Sequence, residues 1–66
     1  MEPHQERVVT EKQELDAKIE KLDAFRAGTT FPTLAADEQD RLNMQLSHMR
    51  AYSGVLADRI AAFSQA

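Results

Sequence analysis

The residues of this sequence best suited to chemistry are an amide, a tyrosine and several charged side chains that recur at helical spacing. Gln45, Tyr52 and Arg59 are seven residues apart, and so are Glu11 and Lys18. A spacing of seven keeps side chains on one face of a helix through two turns. Tyrosine offers a face for stacking, and arginine and lysine donate hydrogen bonds to phosphate. The spacing permits a wall for an anionic ligand, but it equally permits an ordinary flanking layer with a surface Glu11–Arg59 ion pair.

Motifs for catalysis or metal binding are absent from the sequence. It contains no cysteine, no HExxH motif and no glycine-rich phosphate loop. His4 and His48 stand alone in different parts of the chain. The carboxylates Asp37, Glu38 and Asp40 are better explained as a favourable start of a helix, where the dipole attracts negative charge. We therefore expect a protein that is not an enzyme, needs no cofactor and holds no metal.

Composition indicates a soluble, mostly helical chain of at most one domain. With 66 residues, of which 29% are charged and 42% hydrophobic, a single core is barely sufficient. No apolar run approaches the ~20 residues that span a bilayer, and no signal-peptide pattern opens the chain, so we expect a cytoplasmic protein without membrane contacts. A net charge of -3 argues against binding of DNA or RNA polymers, which requires a basic surface.

Charge is unevenly distributed along the chain. Residues 2–26 contain seven acidic and five basic side chains. From residue 41 onward, Arg41, Arg50 and Arg59 are opposed only by Asp58. The C-terminal half could therefore hold a small anion, although the whole protein would repel a polyanion.

The periodicity of apolar residues predicts an all-α fold, an antiparallel two-helix hairpin that forms one domain over residues 1–66. The first helix should span about residues 3–27 and end at Gly28, and the second about residues 35–63. In the linker, residues 28–34, Pro32 should hold Phe31 extended, and Phe31 and Leu34 should fold over the end of the hairpin. We call the positions expected to face the other helix the seam: Val8, Leu15, Ile19, Leu22 and Phe25, and Leu42, Leu46, Met49, Ser53, Leu56, Ile60 and Phe63.

Across such a hairpin, residues whose numbers sum to roughly 64 should lie side by side. Lys12 then falls opposite Ser53, so the two polar interruptions of the seam share one layer. Either Lys12 reaches past Ser53 to water and fixes the register, or the layer forms a polar pocket.

A lone hairpin of this size should be marginally stable, because each helix buries only one stripe of side chains. The second helix also carries apolar or small residues away from the seam, among them Met44, Ala51, Gly54 and Val55. Glycine inside a helix is about 1 kcal/mol less favourable than alanine, and close approach of another backbone or a ligand would explain Gly54. We expect the hairpin to pack into a homo-oligomeric helical bundle.

Three segments together, ERVVTEKQELDAKIEKLDAF, FPTLAADEQDRLNMQL and MRAYSGVLADRIAAF, resemble a family of short bacteriophage proteins. Its members share the hairpin domain of the anti-CBASS and anti-Thoeris immune-signal sponges. The likeness covers about residues 5–63, through the motifs ExxELxxKIxKLxxF in the first helix and QLxxMxxYxxxLxxRI in the second. It implies a homo-oligomer, with a hexamer suspected, that binds cyclic oligonucleotide second messengers without cleaving them. Such a protein would act in the cytoplasm of the infected bacterium and silence the immune signal.

The ligand-binding residues predicted from the spacing, the local excess of arginine and this resemblance are Lys18, Arg50, Tyr52 and Arg59, with Arg7 and Lys21 behind them. The cations would bind phosphate, and the tyrosine would stack on a base or anchor the pocket wall. The larger sponges present an aromatic residue early in the first helix, where this chain has His4, Gln5 and Glu6. A cyclic trinucleotide is therefore at least as plausible a ligand as a cyclic dinucleotide.

An alternative function belongs to another class. The chain could be a structural or adaptor hairpin that binds a partner protein through Met44, Val55 and Ala62. An apolar face rimmed by charge is expected of a sponge and of an adaptor alike, so the sequence separates the two poorly.

Overall fold

A computed structural model describes residues 1–65, which form two long helices packed side by side and contain no β-strand. Helix α1 is Pro3–Ala27 and helix α2 is Ala36–Ala62. Short 3-10 turns lie between the helices, at Phe31–Thr33, and after α2, at Phe63–Gln65. The hairpin is a rod of 49 × 15 × 14 Å. The all-α hairpin predicted from the sequence is confirmed.

Both ends of α1 are set by local backbone chemistry. The Glu2 N–H donates to Gln5 Oε1 at 2.9 Å, and Pro3 stands in the first turn, where an N–H would have no helical partner. At the other end, the Gly28 N–H donates to the Phe25 carbonyl at 3.1 Å. Gly28 has φ of -84° and ψ of -174°, so it caps α1 in an extended conformation open to any residue.

The linker contains a turn that the sequence did not indicate. The Thr33 N–H donates to the Thr30 carbonyl at 2.9 Å, and the Thr33 hydroxyl donates to the same oxygen. Phe31 therefore lies in a 3-10 turn, and the prediction that Pro32 holds it extended is wrong. The preference that proline imposes on the residue before it is a bias, and the two hydrogen bonds of the turn outweigh it.

The linker packs against the end of the hairpin as predicted. Phe31 and Leu34 are half-buried, and the Phe31 ring meets the Phe25 ring edge to face, with centroids 6.4 Å apart. Gln39 Nε2 donates to the Leu34 carbonyl at 2.9 Å, which ties the first turn of α2 to the linker.

The core is one narrow seam between the helices. Leu46 and Leu56 are fully buried, with exposed fractions of 1% and 0%, and Val8 and Leu15 are also buried. The residues that pack against Val8, Leu15 and Leu56 are Ile19, Met49, Ile60 and Phe63. All of these are predicted seam positions. The seam runs the length of the hairpin but is only one side chain wide, so a few residues supply most of the apolar burial.

The face of α2 that points away from α1 is uncovered. Met44 is 60% exposed and Val55 is 55% exposed. A Cβ added to Gly54 would have no atom of the described chain within 4 Å, apart from the helix's own neighbouring backbone. The close approach that would explain a glycine at this position is therefore not made within residues 1–65.

Candidate functional site

A polar layer crosses the seam where Lys12 meets Ser53. Lys12 Nζ donates to Ser53 Oγ at 3.1 Å and to Asp16 Oδ2 at 2.7 Å. The Ser53 hydroxyl in turn donates to Asp16 Oδ1 at 2.5 Å. The predicted pairing of Lys12 with Ser53 is confirmed. Sequence reasoning missed Asp16, although its spacing of four from Lys12 was an available signal.

The electrostatics of this layer favour a role in register over a role in binding. The hydrogen bond from Lys12 and, after it, the hydrogen bond from Ser53 lower the pKa of the Asp16 carboxyl below its ordinary value, against a smaller opposing effect of desolvation. The ammonium, the hydroxyl and the carboxylate satisfy one another, so no group in the layer points into an empty space. Of the two interpretations of the layer, the one in which it fixes the register fits the geometry better.

A second polar contact joins the helices on the same side. Arg50 Nη2 donates to Asp23 Oδ2 at 2.8 Å, and Arg26 Nη1 donates to Asp23 Oδ1 at 3.3 Å. Asp23 lies seven residues after Asp16, on the same face of α1. We call this side of the hairpin, with Lys12, Asp16, Asp23, Arg50 and Ser53, the Asp23 flank.

The opposite side, which we call the Tyr52 flank, carries Glu11, Lys18, Gln45, Tyr52 and Arg59. Residues two apart on a helix project about 160° from each other, which separates Tyr52 from Arg50. The contacts of Ser53 with Lys12 and Asp16 bring Lys18 to the level of residues 47–51 of α2, within about a turn and a half of Tyr52. Tyr52 is 45% exposed, and Lys18 and Arg59 are exposed.

The Tyr52 flank carries donors that the hairpin itself does not use. Within residues 1–65, the side chains of Lys18, Tyr52 and Arg59 take part in no hydrogen bond or ion pair. The Glu11–Arg59 ion pair that the spacing permits is not formed in the described chain, where the ion pairs involve other residues. The polar contacts between the helices thus belong to the Asp23 flank, and the Tyr52 flank keeps its cations for other partners.

The remaining predicted ligand residues are placed differently. Arg50 lies on the Asp23 flank, held by Asp23, so the structure does not bring it together with Tyr52 and Arg59. Lys21 is exposed on α1, one turn from Lys18. Arg7 borders a shallow depression of about 430 Å³ on the outer surface of α1, whose other lining residues are Pro3, Glu6, Thr10, Glu11 and Glu14. Three carboxylates around one arginine make that depression a poor place for an anion.

Residues 1–65 contain neither a metal site nor a membrane-spanning helix. No group of three or more histidine or acidic side chains is arranged to hold a metal ion there. Neither helix, over the same residues, is long and apolar enough to cross a membrane. What the described chain does offer is an open wall on one flank, with an aromatic face and two uncommitted cations.

Fold and site together define a small all-α hairpin protein with one polar flank closed by ion pairs and the other left open. The chain matches the family model Sequestin over residues 2–62, which includes both helices, and it belongs to the Sequestin family. The family name indicates a sequestering function, so the resemblance to sequestering proteins is confirmed at that level. No curated protein and no solved structure matches the chain.

Proposed function

We propose that this protein is a phage anti-defence sponge of the anti-CBASS type. It sequesters a cyclic oligonucleotide, a cyclic di- or trinucleotide that serves as an immune second messenger, and so prevents activation of the effector. It acts in the cytoplasm of the infected bacterial host. It binds without turnover and is not an enzyme. Membership of the Sequestin family supports sequestration, and the uncommitted donors of the Tyr52 flank are the observation that supports this ligand class.

The chemistry of the Tyr52 flank suits a small ring of nucleotides. A cyclic oligonucleotide presents flat bases beside phosphodiesters, each with one negative charge. The half-exposed Tyr52 ring can stack on a base, and the Lys18 ammonium and Arg59 guanidinium can donate to phosphate oxygens. A long nucleic acid would meet the acidic remainder of the chain, whose net charge is -3. The charge pattern therefore favours a compact anion over a polymer.

The shape of the Tyr52 flank supports self-association as part of this proposal. A rod about 15 Å thick can contact a ligand on one side only, whereas tight small-molecule sites surround most of the ligand. A second copy of the hairpin would supply the opposite wall, and the exposed Met44 and Val55 on α2 offer an apolar surface on which copies can associate. The proposed assembly is a homo-oligomer, and a hexamer is the form that the family resemblance suggests.

The proposed mechanism is competition by mass action. A binder that does not turn over silences a signal only if its total concentration of sites exceeds that of the messenger and its dissociation constant lies below that of the effector. Inhibition should therefore be stoichiometric: the effector stays silent until the sites are filled and then responds normally to further messenger.

The test is isothermal titration of the purified protein with cyclic di- and trinucleotides, followed by recovery of the ligand after denaturation. We expect saturable binding of at least one cyclic oligonucleotide and return of that ligand intact. Arg59→Ala should abolish binding at unchanged helicity. Arg41→Ala is the matched control, because Arg41 is engaged by Asp37 and Glu38 at the start of α2. Degraded ligand would contradict a sponge, and equal losses in the two variants would contradict a site at Arg59.

The exposed apolar face of α2 also favours a second candidate, an adaptor hairpin that binds a partner protein through Met44, Val55 and Ala62. Val55→Lys separates the two. In a sponge that assembles through this face, the substitution should yield monomers in sedimentation velocity and weaken ligand binding together. In an adaptor, the wild-type protein should already be monomeric and bind none of the cyclic oligonucleotides.

A further inference from the structure

The Asp23 carboxylate lies between two guanidinium groups, one from each helix. Its Oδ2 accepts from Arg50 Nη2 at 2.8 Å and its Oδ1 accepts from Arg26 Nη1 at 3.3 Å. Both oxygens of the carboxylate are thus used, and together they face two positive charges. Lys18 and Arg59, on the other flank, have no such counter-ion among residues 1–65.

This cluster has more donors than acceptors. A guanidinium carries five N–H groups, and Asp23 engages only one nitrogen of Arg50. The Arg26 Nε is buried and has no hydrogen-bond partner among residues 1–65. The Arg50 and Asp23 side chains are 54% and 46% exposed, so water and anions can reach the pair. One carboxylate therefore partly neutralises a site that would otherwise attract an anion strongly.

We propose that Asp23 is an internal competitor for the anionic ligand: it holds Arg50 in the empty hairpin, and a phosphate must compete with its carboxylate for that guanidinium. The proposal rests on the proposed function, because it concerns how the same protein selects its ligand. Asp23 is a positioning residue, since it acts on the ligand only through Arg50.

The competitor sets which anions reach Arg50. The Asp23 carboxylate is tethered beside the guanidinium, so its effective concentration there exceeds that of a small anion in solution. A free anion must compete with this tethered carboxylate and therefore binds Arg50 weakly. A ligand with several phosphates can first bind other cations of the assembly. Its remaining phosphate is then also held close to Arg50, at a high effective concentration, and can replace the carboxylate. Asp23 thus favours binding of compact rings with several phosphodiesters over binding of the abundant small anions of a cell.

The test compares Asp23→Asn with Glu20→Gln, which removes the same charge from an exposed position one turn earlier on α1. Inorganic pyrophosphate is the probe, and the Arg50 Nε–Hε signal in NMR is the readout. We expect Asp23→Asn to lower the apparent dissociation constant for pyrophosphate about two- to fivefold, the range for an exposed ion pair. Glu20→Gln should behave as wild type, and Asp23→Glu, which retains the competing carboxylate, should resemble wild type.

The outcomes that overturn the proposal are distinct. Equal gains in pyrophosphate affinity in Asp23→Asn and Glu20→Gln would show that the effect comes from the change in net charge alone. Weaker binding by Asp23→Asn would show that Asp23 aims Arg50 instead of competing for it. A gain in affinity that persists in Asp23→Asn with Arg50→Ala, measured from backbone amide shifts because this variant lacks the Arg50 signal, would show that Arg50 does not mediate it. The pyrophosphate measurements decide these points even if no cyclic oligonucleotide binds. Failure of the Asp23 proposal can therefore be distinguished from failure of the proposed function.

Discussion

Replacing Ser53 by alanine tests whether the polar layer stabilises the hairpin. The Ser53 side chain is 9% exposed, and its hydroxyl makes two hydrogen bonds, both with charged groups. Hydrogen bonds to charged groups contribute about 1.5–3 kcal/mol each when buried. Lys12 and Asp16 are 26% and 44% exposed, so water takes up part of the lost interaction, and about 1 kcal/mol per bond remains. Alanine's better helix propensity returns about 0.5 kcal/mol, which leaves a net destabilisation of about 1–2 kcal/mol.

The assay is urea unfolding followed by circular dichroism, at one fixed protein concentration because an oligomer unfolds in a concentration-dependent way. For a domain of this size, a loss of 1 kcal/mol lowers Tm by about 4–8 °C. Ser47→Ala is the matched control, because Ser47 is exposed on the same helix and reports the propensity gain alone. Lys12→Met completes a double-mutant cycle, in which we expect a coupling energy of about 1 kcal/mol between Lys12 and Ser53.

The reasoning is refuted if Ser53→Ala stabilises the protein as much as Ser47→Ala does. It is also refuted if the cycle shows no coupling between Lys12 and Ser53. Either result would mean that water can replace the hydrogen bonds of Lys12 and Asp16 to Ser53 without loss of stability. The apolar seam alone would then fix the register.

Two further predictions concern the core and the response to acid. Leu56→Ala, at a fully buried position, should lower the free energy of unfolding by about 2–5 kcal/mol, much of the stability of so small a core, whereas Asn43→Ala, at an exposed position of the same helix, should change the urea midpoint little. The pKa of Asp16 is lowered in the folded state from its ordinary value of 3.8, so its stabilising effect is present above that value and is lost as the pH falls through the folded pKa. Urea midpoints measured from neutral pH downward should therefore fall less in Asp16→Asn than in wild type, and parallel declines would show that other groups cause the acid sensitivity.

The sequence by itself determined the two helices and the residues that pack between them. Pro3 and Gly28 mark the ends of α1, and alternating steps of four and three mark the side of α2 that faces α1. These signals are local: a helix places residues three and four apart on one face whatever surrounds it. Because a short linker leaves two helices little choice of pairing, the same pattern also predicted that Lys12 meets Ser53.

Only the tertiary structure decided which charged side chains form ion pairs between the helices. Heptad spacing allowed a Glu11–Arg59 pair, and the local excess of arginine grouped Arg50 with Tyr52, yet Arg50 pairs with Asp23 and the Tyr52 flank is left open. The physical reason is that an ion pair depends on the stagger of the two helices and on side-chain rotamers, and both vary by a few ångströms without altering the heptad pattern. The candidate site is thus recognised because its cations have no partner within residues 1–65. This property can be seen only after the helices are packed.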